Sequence, residues 1–271
     1  TLVENFQQNH SVSLSLSNFV KIYQMPIDKL YKHKTWNQLL YDLGLKSNYS
    51  KFEKELCRAV FRKWSATDSI SYLSFIEKLA KQSFKIEVNK ISLIEQKYLL
   101  MLYYDLFEEA GRFTSLQEMV NQLSQDNCFC EEVKEVMPLL LKNNKAYEKP
   151  DNSEIPNFPL KLHGIYTKSQ IQVAIGTSTI DKKSPAREGV ERNKALKIEA
   201  MFVDIIKNRE EGSSTNYDDK ALSPYLFQWD TQNRVKPQSQ EGQNYINQTQ
   251  TMLLFVREQK TFAEDKSRTM G

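Results

Sequence analysis

Residues Ser92 to Glu109, Ser-Leu-Ile-Glu-Gln-Lys-Tyr-Leu-Leu-Met-Leu-Tyr-Tyr-Asp-Leu-Phe-Glu-Glu, are apolar on nearly every side of a helical wheel. A helix of that kind is buried all round, so other helices must wrap it. Ser92 and Glu95 make a capping-box spacing at its start, and Gly111 stands just past its end. The flanking sequence supplies the wrapping. Lys51 to Trp64 places Phe52, Leu56, Ala59 and Val60 on one amphipathic face. Thr114 or Ser115 opens a helix through Leu123, and Glu131 to Leu141 predicts another, which Pro138 should kink or end. Ser15 to Tyr23 and Pro26 to Gly44 form a helix–turn–helix-like pair with Trp36, Leu39 and Leu40 on one face. A DNA-reading helix needs Arg, Asn or Gln in its N-terminal half. Only Lys29, Lys32 and Lys34 are offered, so a packed helical hairpin is the favoured reading.

The pattern changes at Lys149-Pro-Asp-Asn-Ser-Glu-Ile-Pro-Asn-Phe-Pro159, a loop composition that divides the chain into residues 1–150 and 151–271. Thr167 to Ile175 reads as a short helix with Thr167 as N-cap and Gly176 as stop. Leu196 to Ile206, Tyr225 to Thr231 and Met252 to Val256 read as strands, and Gly212-Ser-Ser-Thr-Asn216 as a turn. The expected class is α+β: an all-helical first domain, then a curved sheet or open barrel. The chain lacks an initiator Met and ends on a charged stretch without an evident closing strand. It therefore reads as a piece of a longer protein whose last domain is incomplete at its C-terminus.

Composition excludes several classes. No window of about 18 apolar residues exists, and no basic-then-apolar leader opens the chain. Three cysteines, Cys57, Cys128 and Cys130, have neither disulfide-framework nor metal-site spacing, which fits a reduced, cytoplasmic setting. The net charge of +3 is shared by two near-neutral halves, so any nucleic-acid contact must be a local patch. No phosphate loop, serine-hydrolase elbow or His-Glu-x-x-His occurs, and the chain reads as non-catalytic. Asp204, Asp218 and Lys220 match a metal-dependent nuclease pattern only loosely.

In the run from Ala221 to Gln232, Tyr225, Phe227 and Trp229 alternate, so on one strand they would share a face. Such a row is either core or a platform on which a base stacks. With Tyr166, Tyr217 and Tyr245 it supplies the wall of a candidate base slot. Asp219, Asp230, Gln232 and Asn233 offer groups for a pyrimidine edge, and Arg187, Arg192, Arg234 and Lys236 could meet phosphates or base edges. For each tyrosine alone, a buried ring with its hydroxyl on the backbone is the simpler account.

Segments in order carry a resemblance: Phe158–Ile171, Arg187–Val190, Tyr217–Ser223, Leu226–Gln232, Gly242–Ile246 and Leu253–Glu258. They resemble the C-terminal target-recognition region of SauUSI-like ATP-dependent type IV restriction endonucleases, which are bacterial helicase-like restriction proteins. The resemblance is close over about residues 156–258 and weak over the helical part. It implies an SRA-like (PUA-like) domain that takes an extruded 5-methylcytosine or 5-hydroxymethylcytosine between aromatic rings of double-stranded DNA. His163, Tyr166, Arg187, Tyr217, Asp219, Phe227, Trp229, Gln232 and Tyr245 fall on its motif positions. Gln228 and Asp230 stand where the family has His and Gln. The implied partners are the nuclease and helicase domains of the same parent chain, which would use ATP and Mg²⁺. This part itself needs no cofactor, metal or membrane. The rival reading is a protein-interaction module that couples to the motor without reading bases.

Overall fold

The structure is a computed structural model. It describes residues 2–144, 150–151, 155–185, 189–206, 219–223, 225–232, 235–259 and 269–270. Nine α-helices precede residue 145 among these: α1 (Leu2–Asn9), α2 (Leu16–Tyr23), α3 (Ile27–Leu30), α4 (Trp36–Asp42), α5 (Glu53–Ala59, continued by a π-helical turn over Val60–Trp64), α6 (Ile70–Lys81), α7 (Leu93–Phe107), α8 (Leu116–Ser124) and α9 (Asn127–Asn144). As its sequence requires, α7 is the central helix. Leu99, Met101, Leu102, Tyr103, Tyr104 and Leu106 are fully buried, and Ser92 and Glu95 close the reciprocal cap. The helix stops on Glu108 in the left-handed region (φ 60°), three residues before Gly111.

Two details differ from the expected ones here. Pro138 neither ends nor divides α9, which runs on to Asn144. Proline in a helix costs about 3 kcal/mol. Pro138 lies on the exposed side, where water can serve the freed carbonyl. Val133, Val136, Met137, Leu140 and Leu141 bury the other side and offset the cost. The helix–turn–helix-like segment, in turn, folds as three helices rather than two, packed by Trp36 on Phe19 at 5.0 Å between ring centroids. The first N–H groups of α4, on Trp36 and Asn37, donate to the buried Glu132 carboxylate of α9 at 2.7 and 2.9 Å. The end a recognition helix would present to DNA thus faces the core.

The remaining elements are β1 (Tyr166–Thr167), α10 (Lys168–Ala174), β2 (Val190–Asn193), β3 (Ile198–Ile206), β4 (Lys220–Ser223), β5 (Leu226–Gln228), α11 (Gln240–Ile246), β6 (Thr251–Gln259) and β7 (Thr269–Met270). Thr167 caps α10 in a second capping box with Gln170, and Gly176 takes φ 75° after its end. β3 is the centre of a three-stranded sheet, antiparallel to β2 and parallel to β6. β1 pairs with β7, a strand that the charged tail does not announce, and β4 with β5. Among the described residues the strands form three small sheets and no closed barrel. The class is α+β.

One face of the main sheet packs into the same buried cluster as the helices. Ile198, Ala200 and Phe255 belong to that cluster, and the Phe202 and Phe255 rings stack 5.9 Å apart. α10 lies against α7. Gln170 donates to the buried Asp105 at 2.9 Å, and the Lys97 ammonium reaches the last carbonyl of α10 at 2.9 Å. Gly111 N–H donates to Ile180 O at 2.7 Å. Among the described residues no helix is long and apolar enough to cross a membrane.

Candidate functional site

The second face of the main sheet carries Arg192 on β2 opposite Glu199 on β3. A carboxylate inside the apolar run of β3 needs a partner. The Arg192 guanidinium supplies it bidentately, at 2.7 and 3.2 Å. Two further Arg192 N–H groups donate to Glu241 at 2.6 Å and to the Tyr245 hydroxyl at 2.7 Å, both on α11. Tyr245 in turn donates to Glu199. Burial lowers the Arg192 pKa, but hydrogen bonds and charge from Glu199 and Tyr245 outweigh it and hold the guanidinium charged. Burial, helped by Glu199, pushes the Tyr245 hydroxyl up to about 12. This cluster clamps α11 to the sheet. The Arg192 N–H groups are thus engaged within the protein, and the Tyr245 hydroxyl is committed as well. The sequence reading missed Glu199, a carboxylate in the first half of the largely apolar β3 that could have signalled a buried partner.

Trp229 lies edge-on to the Tyr245 ring, with centroids 5.5 Å apart and planes at 76°. Trp229 and Phe227 are both half-buried. Asp219 accepts from the Asp230 N–H at 2.9 Å, which fixes the chain just before Gln232. Gln232 keeps its side-chain carbonyl oxygen buried with no hydrogen-bond partner among the described residues. A polar atom in that position is costly unless something else fills its lone pairs.

The expected three-ring ladder does not form. The run Ala221–Gln232 is a hairpin, β4 paired with β5 across a bulge, rather than one strand. Tyr225 falls at its turn and is 98 % exposed. Tyr166 is also corrected: it is 2 % exposed and its hydroxyl accepts from the Lys161 N–H at 2.8 Å, so it belongs to the core. Exposed His163 takes φ 57° in the preceding turn. Asp204 of the nuclease pattern is held by Arg257, with one contact at 3.1 Å. Arg187, Tyr217, Asp218, Asn233, Arg234 and the 212–216 turn lie outside the described residues. The structure therefore brings Trp229 against Tyr245 and Asp219 against the Asp230 N–H, with Gln232 two residues further along the chain. Cys57, Cys128 and Cys130 are all free thiols. Among the described residues no three His, Cys, Asp or Glu side chains gather to hold a metal.

Residues 160–269 match the family described as Domain of unknown function (DUF3427). All the residues of the hairpin, the Arg192 cluster and α11 fall inside that match, and helices α1–α9 fall outside it. No curated protein and no solved structure matches the chain.

Proposed function

We propose that this chain is a modification-specific DNA-binding part of a larger restriction machine. In this reading an SRA-like domain over residues 151–271 takes an extruded 5-methylcytosine or 5-hydroxymethylcytosine beside Trp229, and the helical domain over residues 1–150 couples it to a helicase motor and nuclease. Those further domains of the same parent would use ATP and Mg²⁺ in the bacterial cytoplasm. This chain would bind without cutting. The observation that carries the reading is the buried carbonyl of Gln232, without a partner among the described residues and three residues from a half-buried tryptophan. Cytosine offers a matching donor in its exocyclic amino group, and an aromatic ring gives an extruded base its stacking surface. The order of the motif segments supports the same reading.

A single 5-methyl group in an apolar pocket is worth about 1–3 kcal/mol, so the preference should be modest while phosphate contacts supply most of the affinity. Titration of methylated against unmethylated duplex at fixed salt tests this, and equal affinities would defeat it. Trp229→Ala should weaken the modified duplex by about 1–3 kcal/mol, the value of one stacked base, and should affect unmodified DNA less.

One observation favours the rival interaction module. Leu222, Tyr225 and Leu226 expose 52, 98 and 58 % of their surface around the hairpin turn, a small apolar knob suited to another protein surface. That reading requires the isolated chain to have no affinity for DNA.

A further inference from the structure

The helical half holds a cleft of about 840 Å³ between the loop after α3 and the exposed side of α5 with its π-helical turn. It lies outside the DUF3427 match, and none of the residues around Trp229 lines it. Its cations are Lys32, Lys34, Lys51, Lys54, Arg58 and Arg62. Three are tied down, Lys34 to Asp42, Arg58 to Glu108 at 3.2 Å and Lys51 to the Gln122 side-chain carbonyl at 3.0 Å. Lys32, Lys54 and Arg62 are exposed and have no carboxylate partner among the described residues. The two lining carboxylates do not cancel them. Glu53 is buried and accepts from the Thr35 N–H and hydroxyl, both at 2.6 Å, while Glu55 pairs with Arg112 at 2.8 Å.

Like charges gathered at the mouth of a cleft repel one another and focus a positive field into it. Here the field belongs to a chain whose total charge is only +3. Lys54 and Arg58 stand one turn apart on α5, Lys51 in the turn before it and Arg62 in the π-helical turn after it, and all four line the cleft. A compact anion would call for donors converging on one point. Cations contributed by several segments along one cleft suit a repeating polyanion.

We infer that this cleft is a second, sequence-independent contact, in which the helical half grips the phosphate backbone of duplex DNA. It rests on the reading of the chain as a DNA-binding protein and extends it to residues with no part in base recognition.

The test is binding of the whole 271-residue chain to a labelled duplex, with and without 5-methylcytosine, over a salt series. Lys54→Ala/Arg62→Ala should weaken both duplexes equally, on the order of tenfold, and make the logarithmic salt slope shallower by about two. Lys54→Arg should bind as the parent does. Lys85→Ala/Lys134→Ala, which removes equal charge outside the cleft, should leave the slope unchanged. Far-UV circular dichroism and thermal midpoints verify that these surface variants are folded. An unchanged slope in the cleft variant, an equal loss in the control pair, or preference for polyglutamate over DNA overturns the inference. A methylation preference that survives alongside an unchanged slope would defeat the cleft and spare the base slot. A cleft-dependent slope with no methylation preference would do the reverse.

Discussion

Glu132 illustrates how one side chain can decide a local fold. It is 3 % exposed and accepts from Tyr31 Oη and from the Trp36 and Asn37 N–H groups at the start of α4. Burial raises its carboxyl to about 7, against the hydrogen bonds that lower it. Glu132→Ala would leave three buried donors without an acceptor, each costing about 1–3 kcal/mol. The net loss should be about 3–5 kcal/mol, the range for breaking a buried charged contact. Glu132→Gln keeps one carbonyl oxygen and should lose less. Urea unfolding of the two variants checks the order, and equal midpoints would show that the carboxylate caps nothing of consequence.

At the scale of elements, α11 depends on a close approach that only glycine allows. A Cβ at Gly242 would stand 2.1 Å from Lys236 O and 2.9 Å from its carbonyl carbon, both backbone atoms. Gly242→Ala must therefore push α11 off the loop before it, and Tyr245 and Trp229 would follow. Overpacking of this kind costs about 1–3 kcal/mol. Tryptophan emission should become redder and more open to quenching, because Trp36 and Trp64 are buried elsewhere and Trp229 is the half-buried one. An unchanged spectrum would mean that α11 does not hold Trp229 in place. The same scale explains the broken ladder. Once Ala221 pairs with Phe227, the run turns back on itself and Tyr225 is left at the bend.

Across the whole molecule, two acids buried in different layers make stability depend on pH. Asp105 joins α7 to α6 through Tyr72 and to α10 through Gln170, and burial raises its carboxyl from 3.8 to about 6. Glu132 rises from 4.5 to about 7, and burial also raises Glu53. Each folded value lies above the unfolded one, so the folded state holds more protons within this window. Stability should therefore fall as pH rises from about 4.5 to about 7. The acids lowered by hydrogen bonding, Glu95 through Lys78 and Glu118 through Thr114, act with the opposite sign only below about 4.5. Asp105→Asn should flatten the lower part of the slope. Urea midpoints that rise across the window would contradict the assignment.

What could be read from residue order is what neighbours three or four positions apart decide. The caps at Ser92 and Thr167, the buried character of α7, the strands around Ile198 and Met252, and the shift from helix to mixed structure near residue 150 all rest on local spacing. Tertiary structure alone decided the rest, because the partners lie far apart in the chain. β3 meets β6 in parallel register about fifty residues on, Glu132 caps a helix ninety-five residues before it, and Glu199 finds Arg192 and Tyr245. The aromatic residues around the candidate slot were legible as a list. Which of them are core, which are clamped and which stand open follows from burial and pairing, and those are properties of packed neighbours rather than of the sequence pattern.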